Sequence, residues 1–199
     1  FSGVSYFFGR DLVTALKIPV GLVQVSVGGT AASSWMSQET LKSDPVFEPI
    51  LKAHADLVAG YPQAKQTYDE KLKAYKDRQE KTKADGSEIK EEPLKAPLEP
   101  YHYKRPSALY NRYVAPIQPY GIRGVIWYQG EADAGRWLMY RKLFPALIKN
   151  WRQDWGQGDF PFLFVQYAGF DDNKAKKWPY LRESQAMARV AAALARSMA

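Results

Sequence analysis

Two short polar stretches of the sequence carry groups that suit catalysis. The first is GGT at residues 28–30, which follows the apolar run VGLVQVSV, and the second is QGE at residues 129–131, which follows GVIWY. In doubly wound α/β proteins, active sites form in loops at the carboxyl ends of parallel strands. We therefore expect both stretches to lie at the same edge of one sheet.

The chemistry of these residues predicts a site that binds a developing negative charge. Gly29 leaves its backbone N–H open to close approach, and the Gln129 side chain supplies a neutral NH2 donor. Together they would form an oxyanion hole. Glu131 would orient Gln129 or a ligand, or act as an acid or base. Each residue alone has a commoner structural explanation, which is a tight turn for the glycines and a solvated strand end for Glu131.

Helices and strands that would position this site alternate along the chain. Residues 2–17 predict a helix that Ser2 can cap, and residues 108–116 and 178–198 predict two more. Residues 136–155 predict a helix that is kinked or split at Pro145. Buried strands are predicted at residues 20–27, 123–129 and 160–168. This alternation predicts an α/β fold with a parallel sheet flanked by helices.

Residues 40–104 differ in composition and predict an insertion in this single domain of residues 1–199. They contain a long run rich in Lys, Glu, Asp and Gln, followed by a segment with Gly and several prolines. We expect a helical hairpin or arm and then an extended return. Tyr68, Leu72 and Tyr75 form a narrow apolar stripe at helical spacing, which is too short to favour a coiled-coil partner.

Composition and charge exclude several classes of function. The net charge is +7, but lysines and acids are mixed, which favours a solvated surface over a nucleic-acid site. No apolar run has the length of a membrane span, so no membrane partner is expected. The absence of cysteine excludes disulfides, zinc-thiolate sites and a cysteine nucleophile. The phosphate-loop and GxGxxG patterns are absent, so no cofactor is predicted.

The two histidines, His54 and His102, both fall in the insertion, and we expect them away from the strand ends. Solvated or packing roles are favoured over metal ligation, and no metal site is predicted. Neither histidine assembles a convincing Ser-His-Asp triad, and the sequence has no GxSxG or GDS motif.

Several blocks together resemble the sialate O-acetylesterase family of the SGNH (GDSL-like) hydrolases. They are FSGVSYFFGRDLVTALKIPVGLVQVSVGGTAASSW, ALYNRYVAPIQPYGIRGVIWYQGEAD, YRKLFPALIKNWRQDWG, FPFLFVQYA and PYLRESQ. The resemblance runs from end to end apart from the insertion. It implies a flavodoxin-like, three-layer SGNH fold that is incomplete at both ends, and a serine esterase that removes O-acetyl groups from sugars.

The resemblance also implies roles for individual residues. Gly29 and Gln129 would donate to the oxyanion, and Glu131 would fix that loop or bind the substrate. Trp35 would border the acyl or sugar pocket, with Asn111 nearby. The AASSW and EAD segments differ from the usual sequence of the family at these places, so the preferred sugar substrate is left open.

The family's nucleophile block, GQSN or GDS, and its Asp-x-x-His block are absent from this sequence. We therefore expect the chain alone to be essentially inactive and to require flanking segments of the same domain, or to associate as a homo-oligomer. A non-catalytic carbohydrate-binding or scaffold protein is the alternative. The resemblance suggests a periplasmic or extracellular location.

Overall fold

The computed structural model describes residues 2–84, 92–169 and 177–197. Five α-helices form most of the described structure, and we number them α1 to α5 in chain order: Gly3–Leu16, Gln38–Lys42, Glu48–Ala84, Trp137–Trp155 and Lys177–Ser197. Shorter 3₁₀ turns cover Ala32–Trp35, Pro45–Phe47, Ala115–Ile117 and Glu131–Arg136, and a π-helix covers Tyr110–Val114. Among these residues no helix is long and apolar enough to cross a membrane.

A small parallel sheet packs against the core of the protein. It consists of β1, Val125–Trp127, and β2, Phe162–Phe164, with Val125 opposite Phe162 and Trp127 opposite Phe164. The connection between the two strands contains α4, as expected for a parallel crossover. The α/β class is therefore confirmed, although the described residues are mostly helical. Strands are present within two of the three predicted segments, but each has three residues, and β2 is not buried, with Leu163 50% exposed.

The strand predicted at residues 20–27 is wrong. This segment makes no ladder with β1 or β2, and Val23 is 71% exposed. Apolar residues form a strand only where a neighbour accepts and donates the backbone hydrogen bonds, and no described strand is hydrogen-bonded to this segment. Val25 and Val27 nevertheless pack against the core.

Helix α4 supplies the largest apolar face of the core. Its buried apolar side chains recur every three or four residues, as on one face of a helix: Tyr140, Leu143, Phe144, Leu147, Ile148, Trp151 and Trp155. The helix is continuous through Pro145, so it is not split there, and a kink at the proline stays a prediction. Burial of the turns on both sides of the proline offsets the hydrogen bond that the proline cannot donate.

An aromatic cluster joins the sheet to α4. Trp127 lies with its ring centroid 5.7 Å from Trp151 and 6.0 Å from Trp35, both edge-on. Phe144 and Phe162 lie within 6.3 Å of the same ring. Edge-to-face pairs of this kind add to the free energy gained from burial of the rings. The cluster fixes the end of β1, from which the loop containing Gln129 continues.

The segment 40–104 contains one long helix rather than a hairpin. Helix α3 has 37 residues, roughly 55 Å at the usual rise, and Ile50 is its buried residue. His54 connects the first turns of α3 to the segment that leads back from the helix, which we call the return segment. Its Nε2 forms a hydrogen bond with the Pro100 carbonyl at 3.0 Å. Most of α3 is therefore solvent-exposed, while its first turns lie against the body of the protein.

Helix α1 begins after Ser2 and ends at a left-handed Lys17, close to the predicted bounds. The Ser2 side chain makes no capping hydrogen bond, although its backbone N–H donates to Gln24 Oε1. The predicted helix at residues 108–116 is instead a π-helix followed by a 3₁₀ turn. Pro116 lies at the start of that turn, where the missing N–H costs little.

Candidate functional site

The loops that follow residue 27 and strand β1 meet, as the sequence predicts. Gln129 donates from Nε2 to the Thr30 carbonyl at 3.1 Å, so the two polar stretches touch through a buried hydrogen bond. The Thr30 hydroxyl donates to Val27 at 2.8 Å and accepts from the Trp35 indole N–H at 3.0 Å. These bonds hold the first loop in a compact turn directly beside the end of β1.

Asp133 is the centre of the contact between the loops, and its carboxylate is completely buried. It accepts from the Ala32 backbone N–H at 2.8 Å, from Gln129 Nε2 at 2.6 Å and from Arg136 Nε at 2.7 Å. Arg136 also lies 3.3 Å from the Ser33 hydroxyl. We call Asp133 with these three donors the Asp133 network. Three donors, one of them charged, offset the cost of burying a carboxylate.

Gln129 is 9% exposed, and its amide group is fully engaged within the protein. Its two amide hydrogens serve Thr30 and Asp133, while Oε1 accepts from the Tyr140 hydroxyl at 3.3 Å. Burial, and then the nearby Asp133 charge, raises the pKa of Tyr140, so that phenol remains a donor. Gln129 would have to give up one of these bonds to donate to an oxyanion.

Gly29 lies on the exposed side of the first loop in a left-handed conformation, with φ of +65°. A side chain there would begin 3.4 Å from the Lys104 ammonium, and Gly28 has open space around it. Glycine is favoured at position 29, because residues with a side chain adopt this φ less readily. The turn leaves the position accessible from solvent.

Glu131 is exposed and faces Tyr167. Burial, and next the hydrogen bond with Glu131, raises the pKa of Tyr167. The predicted support of Gln129 is provided by Asp133, two residues further along the chain. A substrate contact by Glu131 stays a prediction.

Trp35 and Asn111, the two predicted substrate-binding residues, have different surroundings. Trp35 is 5% exposed, and its backbone carbonyl accepts from the Trp151 indole at 2.8 Å, so it supports the site from the core side. Asn111 is exposed on the π-helix that packs against the 3₁₀ turn Ala32–Trp35. Its side chain has the access that a ligand contact requires.

The expectation that His54 and His102 lie away from the strand ends is wrong. Both line a cavity of about 360 Å³ that is also lined by Ser33 and Arg136. The Lys104 backbone N–H donates to His102 Nδ1 at 3.2 Å, which leaves Nε2 as the protonated nitrogen of the neutral ring. Among the residues that the structure describes, no group of three His, Asp or Glu side chains is arranged to bind a metal.

Sequence reasoning missed three residues of this site, namely Asp133, Arg136 and Lys104. Asp133 lies four residues after Gln129, and Arg136 lies three residues after Asp133. Residues at these spacings meet on one face of a short helical turn. That spacing was the available signal. Lys104 lies in the segment that leads back from α3, and no local pattern in the sequence connects it with residue 29.

Comparison with known proteins assigns the chain to a family. A family model described as a carbohydrate esterase, sialic acid-specific acetylesterase, matches residues 96–198, which is 103 of the 199 residues. The chain belongs to this acetylesterase family. The match includes β1, the Asp133 network except for Ala32, and all of α5, so the predicted family is confirmed.

Curated relatives of the acetylesterase family give the same assignment. The chain is 35% identical over 178 residues to a sialate O-acetylesterase from Mus musculus and 34% identical over 182 residues to that from Rattus norvegicus. Both alignments cover 85% of this chain and 30% of the relative. A sialate O-acetylesterase from Homo sapiens is 28% identical over 174 residues. The chain thus spans about 25–30% of the length of these esterases.

A solved structure of a carbohydrate acetylesterase from Xanthomonas citri is similar to the chain. The two superpose with a TM-score of 0.63 at 28% sequence identity. The superposition covers 96% of this chain and 33% of the bacterial esterase. The mostly helical arrangement around a small parallel sheet is therefore shared with a carbohydrate esterase.

Proposed function

We propose that these 199 residues form the central part of a carbohydrate O-acetylesterase with a serine-hydrolase mechanism. The observation that carries the proposal is the buried junction between the loop after residue 27 and the loop after β1, where Gln129 contacts Thr30 and Asp133. The hydrogen bond from Gln129 to Thr30, the residue after Gly29, supports the proposal, since an oxyanion hole made from two loops requires the Gly29 turn to lie near Gln129. The complete domain would be a three-layer SGNH fold whose sheet contains further strands.

In this mechanism a serine hydroxyl attacks the acetyl carbonyl, and a histidine oriented by an aspartate takes the hydroxyl proton. Negative charge develops on the carbonyl oxygen, where the Gly29 backbone N–H and a Gln129 amide hydrogen would stabilise it. Gln129 would release its bond to Thr30 when the oxyanion forms, since the bond to Asp133 is charge-assisted and shorter.

The nucleophile and the base would come from outside these 199 residues, because the sequence contains neither the GQSN or GDS block nor an Asp-x-x-His block. Loss of a nucleophile or base lowers serine-hydrolase activity by roughly a millionfold. We therefore expect the isolated chain to release acetate at the background rate. The partners would be an acetylated sugar and the flanking segments, or a second copy of the chain.

The test is acetate release by the protein that carries both missing blocks. Gln129→Ala should lower kcat by about 100- to 1,000-fold with little change in KM, because an oxyanion bond acts mainly in the transition state. Gln66→Ala, on the exposed face of α3, is the matched control and should leave kcat unchanged. An unchanged kcat in Gln129→Ala would show that Gln129 is not an oxyanion donor.

The full engagement of the Gln129 amide favours one alternative, a non-catalytic carbohydrate-binding or scaffold protein. In that case the amide would only hold the loops together. Stoichiometric binding of an acetylated sugar by the complete protein, without acetate release, would support this alternative. Turnover that depends on the serine and histidine blocks would exclude it.

A further inference from the structure

The backbone of Gln129 is held by a side chain that replaces a strand contact. In a longer parallel ladder, the next hydrogen bond between β1 and the segment after β2 would join the Tyr167 N–H to the Gln129 carbonyl. The Gln185 side chain of α5 lies between these two groups instead. Its Oε1 accepts from the Tyr167 N–H at 3.1 Å, and its Nε2 donates to the Gln129 carbonyl at 3.3 Å. The Gln129 side chain therefore extends from a fixed backbone position.

The amide at the end of the Gln129 side chain is held at both of its polar atoms. Nε2 donates to Thr30 and Asp133, and Oε1 accepts from the Tyr140 hydroxyl at 3.3 Å. When the bond to Thr30 is released to an oxyanion, the bonds to Asp133 and Tyr140 remain. The last torsion of a glutamine side chain has only broad preferences. A single remaining bond would let the amide turn, whereas bonds at both atoms fix its plane.

The orientation of the Gln129 amide decides whether it can stabilise negative charge. An NH2 group donates to an oxyanion, whereas the carbonyl oxygen of a reversed amide would repel it. The hydroxyl at Oε1 and the Asp133 carboxylate at Nε2 favour the same, productive orientation. Burial, and then the Asp133 charge, raises the pKa of Tyr140, so its hydroxyl keeps the proton that it donates.

Tyr140 is itself rigidly placed. It is completely buried on α4, and its ring is stacked on Phe144 with the ring centroids 5.4 Å apart and 18° between the ring planes. Donors that are fixed before the reaction need no reorganisation when charge develops in the transition state. The core helix α4 therefore supplies a preorganised donor to the amide of the candidate oxyanion hole.

The hydrogen bond from Tyr140 is long in the resting protein. The 3.3 Å between the two oxygen atoms exceeds the usual distance of about 2.7–2.8 Å, so the bond adds little to stability. When the Gln129 amide donates to an oxyanion, electron density moves towards Oε1, which becomes a better acceptor. Hydrogen bonds in a chain reinforce one another in this way. The bond would therefore strengthen mainly in the transition state.

We propose that Tyr140 is a positioning residue of the esterase, whose hydroxyl holds the Gln129 amide with its NH2 group towards the oxyanion and polarises that amide in the transition state. Tyr140 acts through Gln129 and does not contact the substrate. The proposal rests on the proposed function, because it requires Gln129 to be an oxyanion donor. It assigns to α4 a part in the acetyl-transfer step in addition to its place in the core.

The first test is acetate release by the protein that carries both missing blocks. Tyr140→Phe should lower kcat by about 3- to 10-fold with little change in KM, because the lost bond acts mainly in the transition state. Tyr110→Phe is the matched control, since it also removes a buried phenol that donates to a side chain, in this case Asp154. The control should leave kcat unchanged. An unchanged kcat in Tyr140→Phe would overturn the proposal.

Urea unfolding of the same two variants separates positioning from packing. Tyr140→Phe removes a long bond and should lower the unfolding midpoint less than Tyr110→Phe, which removes a short bond to a carboxylate. The expected pattern is therefore crossed, with activity lost in Tyr140→Phe and stability lost in Tyr110→Phe. A Tyr140→Phe variant that fails to fold, or that loses more stability than the control, would contradict the proposal.

A double-mutant cycle tests whether Tyr140 acts through Gln129. In the Gln129→Ala background, Tyr140→Phe should lower kcat no further, because the acceptor of its hydrogen bond is gone. A residue that only packs the core would lower kcat by the same factor in both backgrounds. Equal factors in the two backgrounds would therefore overturn the proposal.

The failure of this inference is distinguishable from that of the proposed function. A loss of kcat in Gln129→Ala with an unchanged kcat in Tyr140→Phe would leave the esterase proposal intact and contradict the role of Tyr140. An unchanged kcat in Gln129→Ala, or no acetate release by the complete protein, would contradict the oxyanion assignment and with it the role of Tyr140.

Discussion

Asp133 determines how the residues of the candidate site are arranged. Its carboxylate is the point at which a backbone N–H of the first loop, the Gln129 amide and the Arg136 guanidinium converge. Without this acceptor, the N–H groups that point at Asp133 would lose a hydrogen bond in the interior. The free energy cost of an unsatisfied buried donor exceeds what an average hydrogen bond contributes to stability. The position of Gln129 therefore depends on Asp133 at least as much as on β1.

Asp133→Asn should destabilise the protein by about 2–4 kcal/mol. The variant removes the buried negative charge and places an NH2 group among three donors, so part of the network must separate. Urea unfolding, followed by tryptophan fluorescence, measures the loss as a lower midpoint.

The matched control for Asp133→Asn is Asp69→Asn on the exposed arm. Asp69 pairs with Lys65, but both side chains are about half exposed. An exposed ion pair contributes little, so the control should lose less than about 0.5 kcal/mol. Equal losses in the two variants would show that the Asp133 network does not hold the loops together.

Hydrogen bonds of polar side chains, rather than strand pairing, join the π-helix and the start of α2 to helix α4. Tyr110, on the π-helix, donates its hydroxyl to Asp154 near the end of α4 and accepts from Gln118 at 2.8 Å. Asn150, one turn earlier in α4, accepts from the Ser37 backbone N–H at 2.8 Å. Helix α4 thereby fixes the π-helix and the start of α2 through its last two turns.

Stability should fall in alkali partly because of Tyr110. Burial, and then the hydrogen bond to Asp154, raises the pKa of Tyr110 to about 12, against about 10 in the unfolded chain. The unfolded state therefore loses this proton first as pH rises. The contribution of Tyr110 is complete below about pH 10 and is lost between about pH 10 and 12, by up to about 1.4 kcal/mol per pH unit.

Tyr110→Phe should make this alkaline loss of stability less steep, as measured by urea unfolding at a series of pH values. Burial also raises the pKa of Tyr140 and Tyr167, so some pH dependence should remain in the variant. Tyr101→Phe is the control, because Tyr101 is 84% exposed. A slope that is the same in Tyr110→Phe and the unmodified protein would contradict the assignment.

At the scale of the whole molecule, apolar surface is unevenly distributed. The buried core lies around α4, whereas α1 and the segment after it expose several large apolar side chains: Val4, Tyr6, Phe7, Val13, Leu16, Ile18 and Val23. Gly9 of α1 contacts Leu22 so closely that a side chain there would begin 2.6 Å from it. Helix α1 and the segment 18–24 therefore pack on each other and leave their other faces exposed.

The isolated chain should associate through this surface. Exposed apolar patches of this kind favour contacts with other chains, because burial of apolar area is favourable. Sedimentation velocity over a range of concentrations should show oligomers, and Phe7→Ser combined with Val23→Ser should shift the distribution towards the monomer. Tyr101→Ser, which removes an exposed aromatic ring on the return segment, is the control. A strictly monomeric unmodified chain would contradict the prediction.

The sequence by itself determined the family, the helices α1, α4 and α5, the strands β1 and β2, and the meeting of the two polar loops. The family follows from the resemblance of several sequence blocks, and the helices and strands follow from apolar periodicity and residue type. The meeting of the two loops is predicted from two strand ends at one sheet edge, although only β1 is a strand in the structure. The apolar face of α4, for example, is visible as a repeat of three and four residues from Tyr140 to Trp155.

Only the tertiary structure decided which contacts those elements make. Residues 20–27 have a strand-like composition but no described strand is hydrogen-bonded to them, and α4 continues through Pro145 because packing offsets the missing bond. The choice of Asp133 rather than Glu131 to hold Gln129, and the approach of Lys104 to Gly29, join residues of separate segments. Such contacts depend on how the whole chain packs, and local sequence patterns carry no record of them.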